Sequence, residues 1–506
     1  MAGRQAAPSL TTAQADRAAG VLLGLACGDA LGAPYEFGPA RISGEPVAMT
    51  GGCPFGWEPG EWTDDTSMAV AIAETSATGD GLRSGSALDK ITLRFTRWRS
   101  EAKDVGNQIG SVLSRIRDDP RADAAARAAR GHFERTGGEG NGSLMRTAPV
   151  ALAYLADPAG LTEAAHAVSA LTHAGPQARE ACALWCHAIR HAVLHGTFDG
   201  LHAAVEHLPA DRAAFWSARL AEAEATPPHE IGRNGWVVRA LMTAWSAIIH
   251  TPIPADSPRD GKFPGLHLQH AIETAVRAGE DTDTVAAIAG SLLGARWGVS
   301  AIPFVWRRAV HGWPGLRARD LTRLGLLTAR GGRPDPQGYP SVTIFDYSGY
   351  GDTSMLARHP SDPGVWLSGI DALRHLPPGV DAVVSLCRLG TDEVPAQRPG
   401  GAGQIDPGDH LEVWLIDSGD RHANPNLALV DAADTVAVLR AEGRQVLIHC
   451  VQARSRTPAV AALYAARHRG IPLDHALRDI KDVLPLADPN GTYQKSLHRL
   501  TRHQTA

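Results

Sequence analysis

The hydrophobic period of this chain changes once along its length, and that change constrains the fold most. From Ala13 to about Pro314, apolar residues recur every three or four positions. Segments such as ADRAAGVLLGLACGDALG, TEAAHAVSALTHA, PQAREACALWCHAIRHAVL, WVVRALMTAWSAIIH and HAIETAVRAG show it, with abundant alanine. That spacing predicts amphipathic helices throughout. Beyond Tyr339 the texture becomes short β-branched or apolar runs, SVTIF, VWL, DAVVSL, LEVWLI and QVLIHC, alternating with helical stretches such as NLALVDAADTVAVLRAEG and PAVAALYAARHRG. Strands alternating with helices predict an α/β domain built on a mainly parallel sheet. Between the two textures, LRARDLTRLGLLTARGGR carries five arginines against one acid and gives way to RPDPQGYP, a boundary in proline and glycine density. The expected division is an all-α domain over 1–315, a linker over 316–338 and an α/β domain over 339–506.

At 506 residues the chain exceeds one ordinary core, which agrees with that division. A formal net charge of −5 argues against a nucleic-acid or polyanion partner. The N-terminus has Arg4 but no apolar core of a leader, and no run of membrane-spanning length is uninterrupted, so a cytoplasmic protein without a membrane partner is expected. Six cysteines without framework spacing suit a reducing compartment. Cys182 and Cys186 stand one helical turn apart with His187, His191 and His195 following. They read as a packed helix in preference to a soft-metal site.

Chemistry concentrates first in two acidic helix starts, Glu61-Trp62-Thr63-Asp64-Asp65-Thr66 and Glu280-Asp281-Thr282-Asp283-Thr284, over two hundred residues apart. Each precedes an apolar helical run, and each taken alone reads as an N-cap. A cap needs one acceptor, however, and Thr63, Asp64, Asp65, Asp281, Asp283 and Thr284 together offer six oxygen-bearing side chains. Such a set suits hard divalent cations. If the two starts meet in space, they form a two-metal site. The loop GNGSLMR offers a phosphate cradle: Gly140 and Gly142 permit close backbone approach, and a helix starting near Ser143 would present free amides.

GLACGDALGAPYEF, WTDDTSMA, KDVGNQ, GNGSLMR, LTHAG and EDTDTVAAIAGSLLGA occur in that order, and together they resemble the ADP-ribosylglycohydrolase family over about the first 315 residues. The resemblance implies an all-helical orthogonal bundle holding two Mg²⁺ or Mn²⁺ ions on the six residues above. It implies Glu36 as a mobile acid near the metals and Asp104 as a residue beside the scissile bond in the arginine-specific branch. It further implies Asn141, Gly142, Ser143 and Met145 as substrate contacts, with His173 as a pocket histidine. The partner it implies is an ADP-ribosylated protein or a small ADP-ribose conjugate, an ADP-ribosylated nucleic acid remaining open. On the residues alone, Asp104 is equally an N-cap for the helix after it, His173 a helix-end dipole partner, and Asp29 structural.

A second site follows the strand QVLI, in His449-Cys450-Val451-Gln452-Ala453-Arg454-Ser455-Arg456-Thr457-Pro458. A cysteine followed six positions later by arginine, on a loop from strand to helix, supplies what thiolate attack on a phosphate monoester requires. Loop amides and a helix start bind the oxygens, the same field favours the thiolate, and Arg456 clamps two oxygens. Thr457 is positioned to reach the sulfur. This resembles the signature of the dual-specificity and tyrosine phosphatases, from about Tyr339 to Ala506, and implies a phosphoprotein partner. Two features depart from it: Ala453 stands where a glycine is usual, and both Asp417 and Asp420 are candidates for the general acid, with Asp417, at the strand end, preferred. The expectation is therefore a metal-dependent ADP-ribosyl hydrolase fused to a cysteine-dependent phosphatase. The alternatives are a C-terminal module that binds phosphate without turnover, or a first domain acting on small ADP-ribose metabolites.

Overall fold

The computed structural model describes residues 9–41, 46–52, 55–393, 405–417 and 422–501. The chain forms two compact units. The first comprises residues 1–252, 267–302 and 309–333; the second comprises 253–266, 303–308 and 334–506.

The first unit is helical. Its central element is α1 (Thr12–Gly32), opened by a capping box in which the Thr11 hydroxyl accepts from the Gln14 amide and the Gln14 side chain accepts from the Thr11 amide. By length and composition α1, extended to Tyr35, could cross a bilayer, but 89% of that apolar window is buried within the protein. Four of its glycines, at 20, 24, 28 and 32, recur every fourth residue and so form one stripe. Against that stripe, running antiparallel, lies the helix Thr282–Trp297, with Gly290 and Gly294 facing it. A Cβ added at Gly24 would sit 2.3 Å from the Gly290 carbonyl oxygen, and one at Gly290 2.1 Å from that of Gly24. No side chain fits between these backbones, so the two helices approach as closely as main chains can. At the far end of the contact a Cβ on Gly32 would lie 2.4 Å from the Asp283 Cα. The stripe therefore sets the start of the second helix beside the end of the first.

The arginine-rich stretch within 316–338 contains the helix Ala318–Ala329, which buries Leu321, Leu326 and Ala329 in this first unit. Its Gly325 lies against the Ala18 carbonyl of α1.

The second unit holds a five-stranded sheet of β1 (Leu356–His359), β2 (Asp362–Ser368), β3 (Ala382–Ser385), β4 (His410–Glu412) and β5 (Val446–His449), in the order β1-β2-β5-β3-β4. Only β1 is antiparallel to its neighbour; the other pairings are parallel. Residues of β3 and β5 are buried throughout, as parallel strands covered on both faces require. The stretch SVTIF, expected as a strand, is irregular here. The carbonyls of Val342 and Thr343 accept single bonds from the amides of Thr391 and Asp392, and no ladder forms. The helices Pro425–Ala441 and Arg456–His468 pack together, the second opening directly after the cysteine loop.

Candidate functional site

The two acidic starts meet. The first is the beginning of the helix Asp64–Ser76, the second that of Thr282–Trp297. The Thr63 hydroxyl lies 3.1 Å from Asp65 Oδ2 and 3.4 Å from Asp283 Oδ2, while the Thr284 hydroxyl lies 3.4 Å from Asp65 Oδ2. Carboxylate oxygens of Asp29, Asp65 and Asp283 lie within 4.8 Å of one another, and so do those of Glu36, Asp281 and Asp283.

Capping does not account for these residues. Thr63 and Asp281 hold the N-cap positions, yet neither side chain caps its own helix. The free amides of the first helix go to Asp29 on α1: Asp29 Oδ1 accepts from the Thr63 amide at 2.9 Å, and Oδ2 accepts from the Thr66 amide at 2.9 Å and the Thr66 hydroxyl at 2.6 Å. Asp29 thus takes over the capping of the first helix, whereas at the second Asp283 Oδ1 accepts from the Thr284 amide at 2.9 Å. Asp281 is held by Asn141, whose Nδ2 donates to it at 2.7 Å and to the Asn234 carbonyl at 3.0 Å. The Asp281 amide in turn donates to Asn234 Oδ1. Asn234 carried no sequence signal that singled it out.

The electrostatics of the cluster are unbalanced. Burial pushes Asp65 and Asp283 well above the usual carboxylate range, and neighbouring carboxylates add to it. Burial, then Asp104, Asp29 and Asp281, raise Asp64 to about 7, and burial raises Asp29 to about 6. The strongest electrostatic neighbours of Asp64 and Asp65 are all carboxylates, and Asp65 Oδ1 is buried without a hydrogen-bond partner. Packed acids, hydroxyls and an orphaned oxygen fit divalent cations, which would supply the missing charge. Asp29, Asp65 and Asp283 are buried, whereas Glu36, Asp64 and Asp281 are half-buried.

Glu36 joins through its backbone. The next residue, Phe37, donates its amide to the Glu280 carbonyl, and Glu280 donates to Gly38, tying the loop to the second acidic start. Burial and then Asp281, Asp64 and Asp104 drive Glu36 to about 9. Asp104 is half-buried and does not cap the helix Asn107–Arg115, whose N-cap is Gly106. Its carboxyl is raised by burial and by Asp281, so it belongs to the same electrostatic cluster.

The GNGSLMR loop differs from expectation. No helix starts near Ser143; the next helix spans Ala148–Ala153. The amides of Leu144 and Met145 both turn back to the Asn141 carbonyl, and the Asn141 amide donates to Gly235. Ser143 and Met145 are buried, and the Ser143 hydroxyl accepts from Ser169 at 3.0 Å and from the Cys182 thiol at 3.4 Å, pointing into the helical core. Gly142 is closely packed, since a Cβ there would lie 2.9 Å from Ile109 Cδ1 and 3.1 Å from His173 Cε1. His173 is buried against this loop, bonded through Nδ1 to the Thr172 hydroxyl. Burial and then Arg146 hold it well below the usual histidine range, so it is neutral and not a helix-end cation. Arg146, which sequence reasoning passed over, is fully buried between the Thr172 hydroxyl, Met68 and the Phe95 ring. Cys182 and Cys186 bond to Ser143 and Thr147, while His187 and His191 bond to Thr162 and Thr197; they form no common ligand set.

In the second unit Cys450 directly follows β5 and Arg456 opens the helix Arg456–His468. Ala453 adopts φ +54°, the left-handed conformation that glycine adopts at no cost. The Arg456 side chain is 12% exposed; its Nη1 donates to the Leu415 carbonyl, and its Nε has no hydrogen-bond partner. Against the downward push of burial, Cys450, Cys387 and Asp417 hold this guanidinium above its usual range. Asp417 Oδ2 is 3.6 Å from Arg456 Nε, and Oδ1 accepts from the Ser455 hydroxyl at 2.6 Å and Asn490 Nδ2 at 3.0 Å. Asp420 lies outside the described residues. The Thr457 hydroxyl is bonded to the Ser368 carbonyl at 3.4 Å, and the structure records no bond from it to the cysteine sulfur.

The family model for ADP-ribosylglycohydrolases matches residues 10–335. The chain is 31% identical over 301 residues to the ADP-ribosyl-[dinitrogen reductase] glycohydrolase of Rhodospirillum rubrum, covering 58% of this chain and 89% of that one. It is 30% identical over 307 residues to the ADP-ribosylarginine hydrolase Tri1 of Pseudomonas putida, covering 59% and 75%. A further 126 residues are 31% identical to dual specificity phosphatase 28 of Mus musculus, covering 24% of this chain and 69% of that one.

Proposed function

Because the chain belongs to the ADP-ribosylglycohydrolase family, we propose that its first unit hydrolyses the glycosidic bond between ADP-ribose and a modified target, arginine-linked ADP-ribose being favoured. The observation that carries this reading is the meeting of Asp65 and Asp283 beside the hydroxyls of Thr63 and Thr284, with an orphaned carboxylate oxygen among them. Thr63, Asp64, Asp65, Asp281, Asp283 and Thr284 would hold two Mg²⁺ or Mn²⁺ ions. Such ions, when bound, would supply positive charge to balance the carboxylates and would lower the pKa of a bound water. Asn141 keeps Asp281 aimed at the cluster, and the half-buried carboxyls of Glu36 and Asp104 are available to move a proton between water and the leaving group. Neutral His173, held against Gly142, lines the loop expected to meet the diphosphate. The similarity to an ADP-ribosylarginine hydrolase supports the arginine preference.

For the second unit we infer phosphate-monoester hydrolysis. The Cys450 thiolate attacks phosphorus, the bond to the leaving oxygen breaks, and Asp417 donates a proton to that oxygen. Arg456 holds two non-bridging oxygens, and water then cleaves the phosphocysteine. A binding module without turnover is the second reading. It is favoured by Asp417 being engaged by Ser455, Asn490 and Arg456, contacts it must release to meet a leaving group.

Release of free ADP-ribose from arginine- and serine-ADP-ribosylated peptides, with Mg²⁺ or Mn²⁺ and then EDTA, tests the first unit. Metal-dependent release by the unmodified chain and its loss in Asp64→Asn are expected. Release unaffected by EDTA would sink the metal reading, and no release from either peptide would point to a small ADP-ribose metabolite. Turnover of an aryl phosphate, abolished by Cys450→Ser, tests the second unit; no turnover by the unmodified chain favours the binding module.

A further inference from the structure

Beside the cysteine loop, the second unit carries a cavity of about 660 Å³ that none of the residues discussed above explains. Phe345, Tyr347, Ile370 and Leu373 contribute its apolar lining, and Phe345 and Tyr347 lie with ring centroids 4.8 Å apart. That volume lies within the range of ligand sites, and acidic and other polar side chains make up as much of the wall as these apolar ones.

The cavity is attached to the loop itself. The Ile370 amide donates to the carbonyl of Val451, the residue after Cys450, at 3.0 Å. Ile370 and Leu373 share a core cluster with Val451, against which Tyr347 packs. On the other side, the Gln452 side chain donates to the Tyr350 carbonyl. A phosphate held by the loop would therefore have this cavity as its neighbour.

Its charge is one-sided. Among the described residues, Asp346, Asp371, Asp392 and Glu393 line it against Arg374 alone, and Arg374 is already paired with Asp371 at 3.5 Å. The Asp346 carboxylate accepts from the Ser348 amide at 2.9 Å, which favours its charged form. Four carboxylates against one guanidinium repel the further phosphates of a nucleotide and attract a cation, while aromatic rings in the wall favour a cation near their faces. We propose that this cavity is a subsite for a basic side chain of a phosphorylated peptide whose phosphate is held by the Cys450 loop. The inference rests on the reading of that loop as a phosphate site, and it assigns the substrate a basic residue near the phosphorylated one.

The test uses the full chain carrying Cys450→Ser and a series of labelled phosphotyrosine peptides with lysine or arginine, or else glutamate, beside the phosphorylated residue, read by fluorescence anisotropy. The basic peptides are expected to bind about tenfold more tightly than the acidic ones. That ratio is expected to shrink with added salt and to approach one in the Asp346→Asn, Asp392→Asn double variant, with the thermal midpoint confirming that the variant folds. Equal affinities, a ratio the double variant leaves unchanged, or no binding of any phosphopeptide would overturn the subsite. Turnover of p-nitrophenyl phosphate by the unmodified chain is scored separately. Turnover without peptide preference sinks the subsite alone, whereas neither turnover nor phosphopeptide binding sinks the phosphate reading as well.

Discussion

Asp29 receives both the amide and the hydroxyl of Thr66, at 2.9 and 2.6 Å, and by doing so a residue of α1 caps a helix that begins thirty-five positions later in the chain. The consequence is that the side chains at that helix start are released from capping, and the Thr63 hydroxyl sits between Asp65 and Asp283.

Asp29→Asn should therefore weaken metal binding without touching the expected ligands. The amide nitrogen of asparagine would face a donor in place of an acceptor, at a cost of about 1–3 kcal/mol. A loss of about 10- to 100-fold in Mn²⁺ affinity is expected from the loosened support, measured by titration calorimetry. Affinity equal to that of the unmodified chain would refute the supporting role.

The glycine stripe makes a second prediction. Gly24→Ala places a methyl group 2.3 Å from the Gly290 carbonyl oxygen, and the obstacle is backbone on both sides. Separating the helices should cost about 3 kcal/mol, the upper end of what overpacking costs, and reduce metal affinity in parallel, because the same contact positions Asp283. Thermal unfolding near that of the unmodified chain would mean the helices can part freely.

Ala453→Gly should stabilise the second unit. Alanine at φ +54° carries a steric cost that glycine lacks, on the order of 1 kcal/mol. Denaturant unfolding of the full chain, followed by a probe in the second unit, should show that gain. Aryl phosphate turnover should be at least retained, since the left-handed conformation is already adopted. A loss of stability would show that the Ala453 methyl group, which is buried, contributes more through packing than it costs in strain.

Acid should destabilise the second unit through His449. Burial holds this histidine neutral, with its pKa lowered to about 4, and its Nε2 lies 2.6 Å from the Ser385 hydroxyl. Unfolded, it titrates near 6.5. Because the folded pKa is the lower one, the unfolded chain binds the extra proton first. The contribution is full above pH 6.5 and is lost as pH falls toward 4, by up to about 3 kcal/mol. His449→Gln should flatten the stability profile over that window; an unchanged slope would remove His449 as the cause.

Much of this protein was legible in its sequence because the relevant signals are local. The period of three to four residues marked the helices, the β-branched runs marked β2, β3 and β5, and the oxygen-bearing side chains at Thr63–Asp65 and Asp281–Thr284 carried their chemistry in their composition. Cys450 and Arg456 likewise stand at a spacing that the strand before and the helix after turn into the proposed phosphate site. Where local signals failed, a distant partner had intervened. Asn141, tied to Gly235, Asn234 and Asp281 far along the chain, draws the Leu144 and Met145 amides back into a turn in place of the helix expected near Ser143, and the run SVTIF bonds singly to Thr391 and Asp392 without becoming a strand. The meeting of two acidic starts over two hundred residues apart was decided by tertiary packing alone. Glycines spaced by four are visible in the sequence, but their effect exists only when Gly24 lies against Gly290. Residue type determines which groups can hold a cation or a phosphate; only the packed backbone decides that they stand close enough to do so.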